Sequence, residues 1–356
     1  MESEIKSKLS GQQLEAIVKT HFPDLELLDV QELTDGNISS VYILKGTGQL
    51  EKPVVLKTGM SSGVEGLRYE KELFPTEGKV YELLQDKGLP IPQILGGNLK
   101  SVPFQNVFSA EKTMADSSGV KLDFPYLLME YVEGSAWVNC LKELKASCSE
   151  LMEKLGYYDG VINQVTGPYF GYLKEGEKYH FPTWGDAFSN MMRDILLDGR
   201  EKGFELPYTE IEEILDGSLE LLNQITEPRL VDFDLWAGNV FLRRSEGKEN
   251  QDEFEISGII DFGHCFFGDP FAGFISAIHI LRDIEEEPEF RKGYEKAVGK
   301  PLIVTENDRI RMNLYRLYMA LLCTVETYRY EPVQAEKMRN SLMRKVEELV
   351  KILGES

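Results

Sequence analysis

Two short stretches of this chain place oxygen-bearing side chains at the ends of apolar runs. In Leu230-Val231-Asp232-Phe233-Asp234-Leu235-Trp236-Ala237-Gly238-Asn239-Val240, the carboxylate of Asp234 precedes the carboxamide of Asn239 by five residues. Further on, Ile259-Ile260-Asp261-Phe262-Gly263-His264 again delivers an aspartate from a strand-like run into a loop. Mg²⁺ takes oxygen ligands, typically one or two carboxylates with phosphate oxygens and water. Asn239 and Asp261 suit that ion, which leaves Asp234 to accept the proton of a hydroxyl group.

These loops need strands to deliver them. Leu230-Val231, Val240-Phe241-Leu242 and residues 256–260 read as short strands inside a chain half that is otherwise helical. Helical periodicity is expected over 137–157, 184–197, 209–226, 306–328 and 332–353. The N-terminal third reads differently. Ser10 and Gln13 form a capping box for a helix over 11–21. Two strands between Leu33 and Leu44 flank a turn at Asp35-Gly36-Asn37, and Val54-Val55-Leu56-Lys57 is a third. A helix over 75–87 is expected to bury Val80, Leu83 and Leu84 on one face and to end at Gly88. An extended piece leads to Ile94-Leu95, residues 101–123 are polar and irregular, and 126–132 form a buried strand broken by Gly134. The expected fold is therefore α+β and bilobal. A strand-rich lobe over 1–128 with an antiparallel sheet meets a larger helical lobe over 135–356 through a join at 129–134, with a cleft between them.

The 356 residues include 39 Lys and Arg against 60 Asp and Glu, a net charge of -21. Such a surface repels phosphodiester backbones, so nucleic acid is not an expected partner. No apolar run approaches the roughly 18 residues a membrane span needs, so no membrane role is expected. Cys140, Cys148, Cys265 and Cys323 are scattered without zinc-ligand spacing, and the acidic start Met1-Glu2-Ser3-Glu4 lacks an apolar signal core. Reduced thiols and a cytoplasmic location are expected. G-x-x-x-x-G-K-[ST] does not occur, which excludes P-loop chemistry.

D-x-x-x-x-N followed by D-F-G resembles the catalytic and metal loops of the protein-kinase fold. "LVDFDLWAGNVFL" and "GIIDFGHCFFGDP" more closely resemble the aminoglycoside phosphotransferase, choline kinase and fructosamine kinase family. The resemblance runs from about Leu33 to Pro270. It implies an ATP- and Mg²⁺-dependent phosphotransferase with Asp234 as catalytic base and Asn239 and Asp261 as metal ligands. It places Lys57 at the nucleotide phosphates, paired with Glu77, and the backbone of Glu130 to Val132 at adenine. The glycine loop is reduced to Asp35-Gly36-Asn37-Ile38-Ser39-Ser40, where Ser39, Ser40 and backbone N–H groups would meet the phosphates. One departure stands out: Asp232 occupies the position where the family usually has His, and its charge should raise the pKa of a neighbouring carboxyl.

Trp236 is expected to pack, His264 to be structural, Asp269 to cap or brace a helix, and Glu285-Glu286-Glu287 to be a solvated loop. Asp194, Asp198, Asp283 and Glu326 sit on helices that could face an acceptor pocket. Together with the family's substrates, they suggest a small, cationic, hydroxyl-bearing substrate. A metabolic kinase for a sugar, amino alcohol or fructosamine is the alternative, and a nucleotide-binding scaffold a further one. The sequence is silent on oligomeric state.

Overall fold

A computed structural model describes residues 8–33, 39–59, 66–99, 120, 122, 124–144, 148–245, 253–276 and 284–355. In the first third, helix α1 (Gly11–His21) precedes strands β1 (Leu27–Leu33), β2 (Ser40–Gly46) and β3 (Val54–Thr58), helix α2 (Leu73–Leu84), and strands β4 (Ile94–Asn98) and β5 (Tyr126–Glu130). The strands form one antiparallel sheet in the order β1-β2-β3-β5-β4. Ser10 caps α1 as expected, with Gln13 N–H donating to its hydroxyl and Ser10 N–H donating to the Gln13 side chain at 3.0 Å. Ile17 and Val18 of α1 pack on Leu44, Leu56 and Leu128 to make a small core on one face of the sheet.

The rest is mainly helical. It comprises β6 (Ser135–Ala136), α3 (Trp137–Cys140), α4 (Cys148–Ile162), β7 (Gly171–Tyr172), α5 (Trp184–Glu201), α6 (Tyr208–Gly217) and α7 (Leu219–Leu222). Then follow β8 (Arg229–Val231), β9 (Val240–Arg244), β10 (Phe254–Ile259), β11 (Phe266–Gly268), α8 (Phe271–Phe274), α9 (Pro288–Val298), α10 (Glu306–Glu326) and α11 (Pro332–Gly354). Two small antiparallel sheets, β10-β9-β6 and β7-β11-β8, carry the loops that bear Asp234, Asn239 and Asp261. Behind them Trp184, Phe188, Phe233, Phe266, Tyr315 and Tyr318 form an aromatic core shared by α5, α10 and the small sheets. Among the described residues no helix is long and apolar enough to cross a membrane.

The bipartite α+β architecture is as expected, and several local readings change. Leu83 is exposed, because the buried stripe of α2 runs through Glu77, Val80, Tyr81 and Leu84 and turns Leu83 outward. The helix expected over 137–157 is two pieces, α3 and α4, separated by a turn that begins at Leu141. Periodicity merged them because Trp137, Cys140 and Leu151 all face one core. The helix over 209–226 breaks at Ser218, whose hydroxyl donates to the Ile214 carbonyl. The turn at Asp35-Gly36-Asn37, Asp283, and residues 101–119 lie outside the described residues.

Candidate active site

The central feature is a lysine between two carboxylates. Lys57 is the penultimate residue of β3, followed by the buried Thr58, and is 8% exposed. Its Nζ donates to Glu77 Oε2 at 2.8 Å and to Asp261 Oδ1 at 2.7 Å. Glu77 is on the buried face of α2, and Asp261 is the first residue after Ile260 at the end of β10. Burial alone would lower the Lys57 pKa, but the charges of Asp261 and Glu77 outweigh it and raise it. Burial pushes Glu77 up to about 7, against the pull of Lys57. Asp261 also feels burial, yet the Lys57 ammonium holds it below the usual carboxylate range.

Asp261 adopts φ +67°, a left-handed conformation few residues other than Gly, Asn and Asp tolerate. That turn swings its carboxylate back toward Lys57, while about two-fifths of the side chain stays open (39% exposed). Such local strain persists only where surrounding structure holds it.

The second cluster is local. Asn239 Nδ2 donates to the Asp234 carbonyl and to Asp234 Oδ2, both at 2.9 Å. With its N–H groups facing Asp234, the amide oxygen of Asn239 is directed elsewhere. Ile260 N–H donates to the Asn239 carbonyl at 3.0 Å, so backbone pairing fixes Asn239 one residue from Asp261 across the two loops. Gly238 is required here: a Cβ would lie 2.2 Å from the Trp236 ring. Trp236 packs over that glycine and is 37% exposed, so its outer face stays in solvent.

Asp232 is 1% exposed, and its Oδ1 accepts the Asp234 N–H at 3.0 Å, which braces the loop from beneath. Burial pushes Asp232 up to about 7, with the Asp234 N–H opposing and the Asp261 charge adding. Asp234 is held well above the ordinary carboxylate range by burial, then by the charges of Asp261 and Asp232; Asn239 pulls it back, and Glu326 on α10 adds to the rise. Asp159 of α4 lies beneath, buried, with neither oxygen hydrogen-bonded among the described residues. Burial and the Asp232 charge push its pKa well up.

These shifts fix a stability prediction for the metal-free protein. Folded Asp232 keeps its proton to about pH 7, whereas an unfolded aspartate loses it near its ordinary value of 3.8. The folded state therefore binds more protons between those values, and stability falls as pH rises through that window. Asp232→Asn keeps an acceptor for the Asp234 N–H and removes the penalty. Thermal melts should show the variant more stable at pH 8, by about 4 kcal/mol at most, with the gap closing by about pH 4. A wild type that is the more stable at pH 8 would refute the buried-charge account.

Ser39 is half-buried at the start of β2; Ser40 is buried opposite Thr58, and its hydroxyl has no partner among the described residues. Glu130 ends β5 with an exposed side chain, and its N–H donates to the Gln93 carbonyl at 3.0 Å; Val132 follows, against Gly258. Asp269 accepts from Phe271 N–H, Arg311 Nε and Tyr315 OH, and so braces α8 against α10. His264 sits against Tyr69, with burial lowering its pKa. Glu285 is bound by Arg309 rather than simply solvated. Asp198 is taken up by Arg68, so it is not available to face an acceptor.

Among the described residues no group of three or more His, Cys, Asp or Glu could hold a metal ion. Asn239 with Asp261 is a two-ligand set instead. That set fits Mg²⁺, which keeps waters and completes its shell on phosphate oxygens.

An antiparallel sheet over a helical lobe, with a buried Lys–Glu pair and two acid-bearing loops at the junction, defines a kinase-like phosphotransferase fold. The family model for the phosphotransferase enzyme family matches residues 29–312. The chain belongs to that family. Among solved structures, a protein from Thermobifida fusca assigned as a fructosamine-3-kinase is 18% identical, with a TM-score of 0.59 and coverage of 94% of this chain and 98% of that one. A thermostable mutant of aminoglycoside phosphotransferase APH(4)-Ia, in a ternary complex with AMP-PNP and hygromycin B, is 16% identical with a TM-score of 0.58, covering 95% and 98%. The streptomycin–ATP complex of APH(2")-IIa is 17% identical with a TM-score of 0.57, covering 97% and 99%. No curated protein sequence matches the chain.

Proposed function

We propose that this phosphotransferase transfers the γ-phosphoryl group of ATP, with Mg²⁺, to a hydroxyl of a small cationic molecule. The observation that carries the reading is the bonding of Lys57 to both Glu77 and Asp261, next to a loop in which Asn239 holds Asp234. Lys57 would neutralise phosphate charge, and Glu77 would keep its ammonium from swinging away. Ser39 and Ser40, at the start of β2, would border the phosphates. The N–H of Glu130 is already spent on Gln93, so adenine would meet other backbone groups of Glu130 and Val132.

Asn239 and Asp261 would hold Mg²⁺, which when bound offsets the negative charge of phosphate oxygens. Asp234 would orient the acceptor hydroxyl and take its proton; the Asn239 bond fixes the carboxylate rotamer for that task. A cation in the cleft opposes the charges that raise the Asp234 pKa, so the base would work with its metal in place.

For the acceptor, the net charge of -21 favours a cation. The solved relatives bound to hygromycin B and streptomycin support an amine-bearing acceptor. A panel of amines, aminoglycosides and neutral sugars screened for ATP consumption tests this. Turnover confined to cationic hydroxyl compounds is expected. Turnover of neutral or acidic compounds alone would move the assignment to a metabolic sugar kinase.

A further inference from the structure

Residues 67–72 lie between β3 and α2, in the part of the chain that builds the sheet lobe, yet they are gripped from the helical lobe. Two consecutive residues just after β7, Lys174 and Glu175, hold them, and Leu173 before these holds α2. The Leu173 carbonyl accepts from Lys79 Nζ at 3.1 Å. Lys174 Nζ donates to the carbonyls of Tyr69 and Arg68, at 2.7 and 3.3 Å. Glu175 N–H donates to Glu72 at 2.9 Å. From α5, Asp198 accepts the Arg68 N–H at 2.8 Å, and Glu201 accepts from the Arg68 guanidinium at 2.9 Å. From the end of α10 and the turn after it, Glu326 accepts the Tyr69 hydroxyl and Arg329 pairs with Glu70 at 2.5 Å.

These contacts are poor choices for stability. Glu70 and Lys174 are each 1% exposed, and the Arg329 side chain is 3% exposed. A buried ion pair gives back much of its attraction as lost hydration, so it specifies position more than it stabilises. Arg329 also leaves Nε and Nη1 buried without a partner among the described residues. Glu72 has φ +65°, a strained turn at the point where the segment passes into α2. Five residues later, Glu77 meets Lys57. Tyr69, Val80, Tyr81 and Leu84 belong to the same apolar cluster as α5 and α10.

We propose that residues 67–72 are a strap by which the helical lobe sets the position of Glu77, and through it Lys57. Lys174 and Arg329 are then positioning residues for the nucleotide site, although neither touches it. The strap rests on the nucleotide site proposed above, and it makes the acceptor-side helices part of the machinery that aligns the donor phosphates.

The test is Mg-ATP affinity by calorimetry on the full chain, for wild type, Arg329→Gln, Lys174→Met, Glu77→Gln and the Lys174→Met/Glu77→Gln double variant. Each single variant is expected to weaken Mg-ATP binding about tenfold, and the double variant to be no weaker than Glu77→Gln by more than about twofold, because both changes act through one contact. Lys174→Met leaves no buried charge, so it carries the test alone if Arg329→Gln fails to fold. Positioning variants that lower Tm yet bind Mg-ATP like wild type would overturn the strap, as would effects that multiply in the double variant. A wild type that does not bind Mg-ATP overturns the nucleotide reading itself, and the strap with it.

Discussion

Asp234→Asn is expected to cut turnover about 10³-fold while leaving Mg-ATP affinity near that of wild type. The substitution is conservative in shape. Asn239 Nδ2 now donates to Asp234 Oδ2 and to its carbonyl, and an amide oxygen at residue 234 can accept the same bond. The Asp234 N–H to Asp232 bond is untouched because it uses the backbone. What disappears is the group that, on the proposed reading, accepts the hydroxyl proton. The loss should therefore fall on kcat, not on the ATP-induced rise in Tm, with an acceptor from the panel as substrate. An unchanged kcat would remove Asp234 from the reaction.

The second large effect concerns Asp261. Asparagine is one of the few residues that tolerates the φ of +67° found there, so Asp261→Asn should keep the backbone. It lacks the charge that faces Lys57 and, on the proposed reading, Mg²⁺. Saturating Mg-ATP, at about 100 times Kd, stabilises a protein by about 2.7 kcal/mol. In the variant the Mg²⁺-dependent part of that stabilisation should vanish, so that melts with ATP plus Mg²⁺ match melts with ATP plus chelator. A wild-type shift in the variant would refute the metal assignment. With Asp261 neutral, Glu77 becomes the only carboxylate on Lys57, and the Lys57 pKa should fall toward its ordinary value.

The two acid-bearing loops were legible because their chemistry is local. Asn239 and Asp234 are five residues apart and bond directly, so their spacing alone implies the contact. Lys57 and Glu77 lie twenty residues apart on adjacent elements, and reading them as a pair needed the order of the motifs as well. Other readings went astray or were absent. Leu83 was counted with Val80 and Leu84 because apolar spacing gives a stripe but not its edge. Trp236 was expected to pack, and it does so over Gly238, a contact that no sequence pattern shows. Lys174, Glu70 and Arg329 drew no notice, because charged residues in short connections normally face solvent.

By itself the sequence determined the α+β order, the strand–loop–strand units that present Asp234, Asn239 and Asp261, and the net charge of -21. Each depends on interactions within a few residues or on composition. Only the tertiary structure decided that Lys57 bridges Glu77 to Asp261, a partner 204 residues away, and that Arg329 meets Glu70 across 259 residues. It also decided that Asp232 would hold its proton near neutral pH, since the carboxyl's hydration depends on what every other part of the chain packs over it. Periodicity reports which face of an element is apolar, whereas the closing of one lobe on another selects what covers that face and which charges are trapped beneath it.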